Sequence, residues 1–179
     1  VADIWGPATS ESQRGFNYVF MAVDHLTGWV ELVPMQTVSA EETWEVFHSC
    51  IIARCGPPKT VTTDCGSMFG KLFSRNCKAM GVKHKLCVPG CHHAQKMVDS
   101  VALLLGRMLR EGFGEHGGYN PHWCKWIPTI AYQLRTRKSS SRIHSAYELV
   151  YGVSPHDYNR HSASEAKNYR SLLKNHPHA

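Results

Sequence analysis

Residues 55–69 read Cys-Gly-Pro-Pro-Lys-Thr-Val-Thr-Thr-Asp-Cys-Gly-Ser-Met-Phe, in which a helix stop is followed by a short strand and a sharp turn. The Gly-Pro-Pro run ends a preceding helix, because proline lacks the amide that a helix interior needs. The β-branched run Thr60 to Thr63 predicts a short strand that ends on Asp64. Ligands gather outside such strand ends in α/β sheets, so Asp64 is a candidate ligand. The alternative is a turn aspartate that caps the next helix.

Strand and helix patterns extend from this stretch in both directions. Residues 16–23 predict a buried strand, a turn follows at 24–28, and residues 29–33 predict the returning strand. Ser39 to Glu42 fits a capping box that opens a helix to about Arg54. Downstream we predict a helix at 68–80, a strand at 82–88, a loop at 89–95, a long helix to about 110, a flexible glycine-rich link at 112–120, and helices near 123–134 and 146–151. A hairpin followed by alternating strands and helices predicts an α/β fold with a mixed sheet flanked by helices.

Composition is that of a globular protein, with 179 residues, 42% hydrophobic and 19% charged. No apolar run approaches the ~20 residues of a membrane span, and the start has no signal-peptide pattern. Without an initiator Met, we expect a domain excised from a longer protein. We predict a domain over 1–155 and a loosely packed polar tail over 156–179. The net charge of +6 permits a polyanionic partner without demonstrating one.

Two further aspartates could join Asp64 in chemistry on DNA. Phosphoryl transfer uses two divalent metals, and Mg²⁺ prefers carboxylate oxygens. Asp3 lies in an apolar first strand, where burying an unpaired acid is costly, although solvent at a chain terminus could excuse it. Asp99 lies near the start of the long helix and away from its apolar stripe. A solvated surface acid is the alternative for Asp99.

The seven cysteines form no regular disulfide pattern, which favours reduced thiols in an intracellular protein. Four residues, Cys87, Cys91, His92 and His93, lie close enough in sequence to suggest zinc. A structural zinc site usually pairs two such clusters, and the sequence has no obvious second one.

A late basic cluster has two interpretations, a nucleic-acid contact or a solvated loop. Its members are Arg135, Arg137, Lys138 and Arg142.

Five segments resemble, in order, the integrase catalytic cores of retroviruses and long-terminal-repeat retrotransposons. They are Val-Ala-Asp-Ile-Trp-Gly-Pro at 1–7, Tyr-Val-Phe-Met-Ala-Val-Asp-His-Leu-Thr-Gly-Trp at 18–29, the stretch 55–69, Gly-Val-Lys-His-Lys-Leu at 81–86 and Tyr-Glu-Leu-Val-Tyr-Gly-Val-Ser-Pro at 147–155. The resemblance implies an RNase H-like fold with a mixed five-stranded sheet. It also implies that Asp3, Asp64 and Asp99 occupy the positions of the catalytic, metal-binding triad, with Mg²⁺ or Mn²⁺ as cofactor if the domain is active and none otherwise.

Departures from the family pattern surround Asp99. The family has glutamate there, and the shorter side chain withdraws its carboxylate by about 1 Å. Residues 65–98 separate Asp64 from Asp99, one fewer than is usual. The preceding loop reads Cys-His-His-Ala-Gln-Lys at 91–96, where the family has roughly His-Pro-Gln-Ser-Asn-Gly. Cys65 also stands where the family prefers asparagine. Mariner-group transposases use three aspartates with the shorter gap, so Asp99 is not excluded.

These observations leave three functional hypotheses. The first is a retroelement-derived DNA integrase domain, taken over by a host genome, with weakened or lost activity. The second is a non-catalytic module of a larger host protein that binds nucleic acid or protein. The third is an RNase H-type nuclease, which would need a further carboxylate. By analogy with the family we expect DNA and protein partners, a homodimer, no membrane association and a nuclear location.

Overall fold

A computed structural model describes residues 1–9, 11–87, 92–111, 121–138 and 142–155, without the side chains of 92–94 and 111. The chain divides into two compact units, Val1–Arg135 and Thr136–Ala179. The predicted tail at 156–179 and the predicted link at 112–120 lie outside the described residues. The predicted domain end at residue 155 stays a prediction. No helix within the described ranges is long and apolar enough to span a membrane.

Strands and helices follow the predicted order closely. They are β1 (Ala2–Trp5), β2 (Tyr18–Val23), β3 (Val30–Met35), α1 (Ala40–Phe47), α2 (Ala53–Cys55), β4 (Thr60–Thr63), α3 (Lys71–Ala79), β5 (Lys83–Leu86), α4 (His92–Glu111), α5 (Ile127–Thr136) and α6 (Ala146–Tyr151). A π-helical turn (His48–Ile52) joins α1 to α2, and 3₁₀ turns (Ser67–Phe69 and Trp123–Trp126) precede α3 and α5.

Strand pairing differs from the single five-stranded mixed sheet that we predicted. β1, β2 and β3 form an antiparallel sheet in that order, whereas β4 and β5 form a separate parallel pair. β1 and β4 contact each other without a backbone ladder being assigned between them in the described chain. The fold class is therefore α/β, with three antiparallel and two parallel strands.

Alternation along β2 places the antiparallel sheet between two layers of helices. Val19 and Met21 belong to one buried cluster together with Leu105 of α4 and residues of α5. Phe20, between them in sequence, belongs to a second cluster with Phe47 of α1 and residues of α3. Because successive strand residues point to opposite faces, both faces of the sheet are covered, and the apolar run of β2 follows from that burial.

Helix α4 begins earlier than the sequence predicted. The predicted loop extended to Gln95, but the helix begins at His92; residues 88–91 lie outside the described chain. The family's loop carries a proline, which would interrupt a helix here, and this sequence has none between 90 and 96. The helix that carries Asp99 is therefore extended by about one turn at its start.

Helix capping was predicted at α1 and is only half formed there. Ser39 Oγ accepts from the Glu42 amide at 3.1 Å. The Glu42 carboxylate accepts from the Gln36 and Thr37 amides and not from that of Ser39. In the second unit, Ser145 and Glu148 form a complete capping box at the start of α6. The α6 prediction is therefore confirmed.

Candidate metal centre

Asp3 occupies the second position of β1 and pairs across the ladder with Met21. Its neighbour Ala2 is buried in the α1/α3 cluster, whereas Trp5 packs against the α4 cluster. Asp3, two residues from Trp5, therefore faces α4. Asp3 Oδ1 accepts from the Ile4 amide at 2.7 Å, and Oδ2 accepts from Gln95 Nε2 at 3.5 Å.

Asp64 follows β4 directly, as the sequence predicted. Its Oδ1 accepts from the Gly66 amide at 3.0 Å, and the side chain is half-buried. A Cβ on Gly66 would lie 3.0 Å from that same oxygen and 2.3 Å from Met68 Sδ, so a larger residue here would require the Met68 side chain to move. The Gly66 amide thus orients the Asp64 carboxylate. Contact between β1 and β4 brings Asp64 towards Asp3.

Asp99 lies in α4 and its side chain is exposed. Its neighbour Val98 is fully buried, so the helix turns Asp99 away from the apolar core. α4 contacts β1, which keeps Asp99 within electrostatic reach of the first strand.

The three carboxylates interact electrostatically at Asp3. Burial raises the pKa of Asp3, the Ile4 amide opposes that shift, and the negative charges of Asp64 and Asp99 raise the pKa further. Residues 3, 64 and 99 are distant in sequence, so tertiary structure has brought their charges together. Among the described residues, no cationic side chain hydrogen-bonds to Asp3 to offset this negative charge.

A divalent cation fits the donor set of Asp3 and Asp64. Mg²⁺ is commonly held by one or two carboxylates, with water and substrate phosphates completing its shell. Gln95 Oε1 adds a buried acceptor that has no hydrogen-bonding partner in the described chain. No three His, Cys, Asp or Glu side chains within the described ranges are grouped closely enough to hold one ion. Asp3 and Asp64 are half-buried and each accepts a backbone hydrogen bond, whereas the side chain of Asp99 is exposed.

Other residues singled out from sequence have different outcomes. The zinc hypothesis stays a prediction, since Cys91 and the side chains of His92 and His93 lie outside what the structure describes. Cys87 is half-buried, and its carbonyl accepts a weak bond from Cys65 Sγ at 3.6 Å.

Arg135, one member of the basic cluster, is largely buried and binds groups within the protein. Its Nη2 lies 2.6 Å from Glu31 Oε2, its Nε donates to the Val30 carbonyl at 2.7 Å, and its guanidinium stacks 4.4 Å from the Trp29 ring centre. Glu31 also pairs with Arg54 at 3.2 Å. Arg135 is thus part of an ion-pair network around the buried Glu31 carboxylate.

Sequence reasoning missed two contributors to this region. Gln95 was assigned to a loop, so its approach to Asp3 could not be anticipated. His84 lies between the exposed Lys83 and Lys85 in β5, and its ring contacts Thr63 and Ser74. The alternation along β5 was a signal that His84 points inward.

Comparison with known proteins shows the family to which the chain is similar. Residues 1–92 match the model of the family described as the integrase core domain, a range that includes Asp3 and Asp64. The retrovirus-related Pol polyprotein from transposon 412 of Drosophila melanogaster is 24% identical over 153 residues, 85% of this chain and 12% of that protein. The Gag-Pol polyprotein of avian reticuloendotheliosis virus is 25% identical over 145 residues, which are 80% of this chain and 12% of the length of that protein. The chain thus spans about an eighth of the length of these relatives.

Solved structures share the fold at low sequence identity. A simian T-cell lymphotropic virus intasome in complex with PP2A regulatory subunit B56 gamma contains a chain with TM-score 0.67 and 16% identity, covering 84% of this chain and 52% of that one. The HTLV-2 integrase catalytic core domain in complex with magnesium has TM-score 0.62 and 15% identity, covering 82% of this chain and 91% of that one.

Proposed function

This chain belongs to the integrase core domain family, and from that premise we propose that it is a metal-dependent polynucleotidyl transferase domain acting on DNA ends, with reduced activity. One observation carries the proposal: β1, which bears Asp3, contacts both β4, which Asp64 follows, and α4, which bears Asp99, and the charges of Asp64 and Asp99 both raise the pKa of Asp3. Three aspartates from separate segments therefore share one electrostatic site. The magnesium named for the HTLV-2 catalytic core supports a divalent cation as the partner of that charge.

Asp3 and Asp64 would hold the metal, and Asp99 would complete the site. Bound Mg²⁺ or Mn²⁺ would polarise phosphate oxygens and lower the pKa of an attacking water or hydroxyl. The protein's own part is positioning: the Ile4 amide orients Asp3, and the Gly66 amide orients Asp64. Amide donors leave the remaining lone pairs of each carboxylate available for a cation.

Reduced activity is proposed from Asp99. Its side chain is one methylene shorter than the glutamate that the family has at this position, and it is exposed. A displacement of about 1 Å in a catalytic group can cost on the order of 100-fold in rate. We attribute the shortened side chain and the altered loop to drift after a host genome captured a retroelement gene.

The test is strand transfer by the chain with Mn²⁺ and labelled donor DNA ends. We expect slow cutting or joining that Asp64→Asn abolishes. Asp24→Asn is the matched control, because Asp24 is an exposed aspartate whose carboxylate accepts two hydrogen bonds from Thr27 in its own turn. No cutting or joining by the unmodified chain, or equal products from Asp64→Asn, would contradict the proposal.

A non-catalytic DNA-binding module is the second candidate, favoured by the exposure of Asp99 and by the lack of a three-ligand cluster in the described ranges. It predicts DNA binding that weakens with salt and is unaffected by Asp64→Asn. A third candidate, an RNase H-type nuclease, would cut RNA in a hybrid duplex. Supplying DNA and hybrid substrates side by side separates these outcomes.

Assembly and context complete the proposal. We propose that β1 and β4 join the two sheets into one five-stranded mixed sheet, that the domain occupies residues 1–155, and that it forms a homodimer in the nucleus as part of a larger protein. The intasome with a bound PP2A regulatory subunit supports assembly and a protein partner. Light scattering tests the dimer, which a monomeric mass would refute.

A further inference from the structure

Three side chains from three elements form a continuous hydrogen-bonded chain behind Asp64. Ser74 Oγ of α3 lies 2.7 Å from His84 Nδ1 of β5, and His84 Nε2 lies 2.9 Å from Thr63 Oγ1 of β4. Thr63 Oγ1 in turn donates to the Asp64 carbonyl at 2.9 Å. The chain therefore runs from the helical layer, through the parallel strand pair, to the backbone of the proposed metal ligand.

The direction of each hydrogen bond follows from the number of protons available. A threonine hydroxyl has one proton, and here it goes to the Asp64 carbonyl. Thr63 Oγ1 must then accept from His84, so the His84 Nε2 atom carries a proton.

His84 Nδ1 is left as an acceptor when the ring is neutral, and Ser74 Oγ then donates to it. Burial lowers the pKa of His84, which favours the neutral ring. One tautomer, protonated at Nε2, thus satisfies every contact in the chain.

Packing holds the imidazole ring in this orientation. The ring of Phe73 meets it edge-on at 5.1 Å between centres, and Phe73 and Thr63 are both fully buried. The strand pairing adds a second constraint, since the Cys87 amide donates to the Thr63 carbonyl at 2.7 Å. His84 is therefore restrained on both sides.

We propose that His84 is a positioning residue, which acts through Thr63 to set the orientation of the peptide after β4 and so of the Asp64 carboxylate. Asp64 has one other restraint in the described contacts, the Gly66 amide on Oδ1. The peptide carbonyl and the carboxylate belong to the same residue, so a rotation of the peptide moves the side chain. This inference rests on the proposed role of Asp64 as a metal ligand.

The first experiment reads the tautomer directly, without reference to activity. Nitrogen NMR of the ¹⁵N-histidine-labelled chain should show His84 with a protonated Nε2 and an unprotonated Nδ1 at neutral pH. Signals from the opposite tautomer, or averaging between the two, would overturn the proposal whether or not the chain cuts DNA.

The second experiment measures Mn²⁺ affinity by electron paramagnetic resonance in variants checked for folding by thermal unfolding. Thr63→Val removes the hydroxyl at nearly constant shape, and we expect affinity to fall by about 10- to 100-fold, as when other groups that orient metal ligands are lost. Thr63→Ser keeps the hydroxyl and should restore most of the affinity. Thr60→Val makes the same change at an exposed site of β4 and should have no effect.

His84 itself is tested by the same assay. His84→Phe removes both nitrogens and should weaken Mn²⁺ as Thr63→Val does, whereas His84→Gln retains an N–H donor and should recover binding. The double variant Thr63→Val/His84→Phe should be no weaker than either single one, since both break one chain. Additive losses, or equal binding by His84→Phe and the unmodified chain, would overturn the proposal. Absence of Mn²⁺ binding in the unmodified chain would instead contradict the proposed function, while the tautomer result would still stand.

Discussion

Gln95 donates a hydrogen bond from its side chain to the Asp3 carboxylate, with 3.5 Å between Nε2 and Oδ2. The bond is long, but it joins the first strand to the helix that carries Asp99. The same amide leaves its Oε1 buried without a partner in the described chain. In the described contacts of Asp3 and Gln95, three acceptor oxygens meet two N–H donors, an imbalance that a bound cation would relieve.

Asp3→Asn should raise the free energy of unfolding in the absence of metal. The pKa of Asp3 is raised in the folded state, first by burial, so its contribution to stability is greatest below the unfolded-state pKa and is lost as pH rises through the folded-state pKa. At neutral pH the charge therefore opposes folding, and we expect a gain below about 1 kcal/mol because solvent screens a partly exposed group. Urea unfolding of the two metal-free chains measures this difference in the free energy of unfolding.

Added Mg²⁺ should make the unmodified chain the more stable of the two, since it alone keeps both of the proposed metal ligands, Asp3 and Asp64. Asp24→Asn is the control and should give no gain without metal, because Asp24 accepts two hydrogen bonds from Thr27. A metal-free Asp3→Asn chain that unfolds more easily than the unmodified one would refute the electrostatic account.

Asp99→Glu should increase strand-transfer activity by about 10- to 100-fold, because the longer side chain returns the carboxylate by about 1 Å. Single-turnover assays with Mn²⁺ and donor ends provide the measurement, and Asp99→Asn should show the opposite change. If Asp99→Glu leaves the rate unchanged, the third corner of the site is not limited by side-chain length.

Glu31→Gln should destabilise the protein by about 3–5 kcal/mol, because it leaves Arg135 beside a neutral partner in a buried site. The Glu31 side chain is 5% exposed and that of Arg135 is 16% exposed. Glu45→Gln makes the same substitution on an exposed face of α1 and should change stability by under about 0.5 kcal/mol. Denaturant unfolding compares the two; equal midpoints would show that the network adds nothing.

Stability should fall as pH drops below about 6.5, the range in which an unfolded histidine takes up a proton. Burial lowers the pKa of His84, so the folded state resists protonation and loses stability relative to the unfolded state. Thermal unfolding from pH 5 to 8, roughly the range in which histidines titrate, should show this slope. His84→Gln should flatten it, whereas His48→Gln, at an exposed position, should retain it. An unchanged slope in His84→Gln would assign the effect to another group.

Local sequence signals predicted the elements well and the start of α4 poorly. β2, β4 and α6 lie close to the residues at which the sequence predicted them. The loop prediction was wrong over residues 92–95, which contain no helix breaker and form the first turn of α4. Single-residue alternation in β5 indicated an inward His84, but its partners lie on β4 and α3.

Local sequence patterns predicted most of the strands and helices and identified three candidate aspartates, since such patterns depend on neighbours a few positions apart. The pairing of the strands in two groups, the electrostatic effect of Asp64 and Asp99 on Asp3, and the ion pair between Arg135 and Glu31 emerge from the folded structure and not from local sequence. The Asp3–Gln95 contact joins residues 92 positions apart, and the Thr63–His84 contact joins residues 21 apart. Contacts at such separations depend on how buried faces pack, which no local propensity encodes.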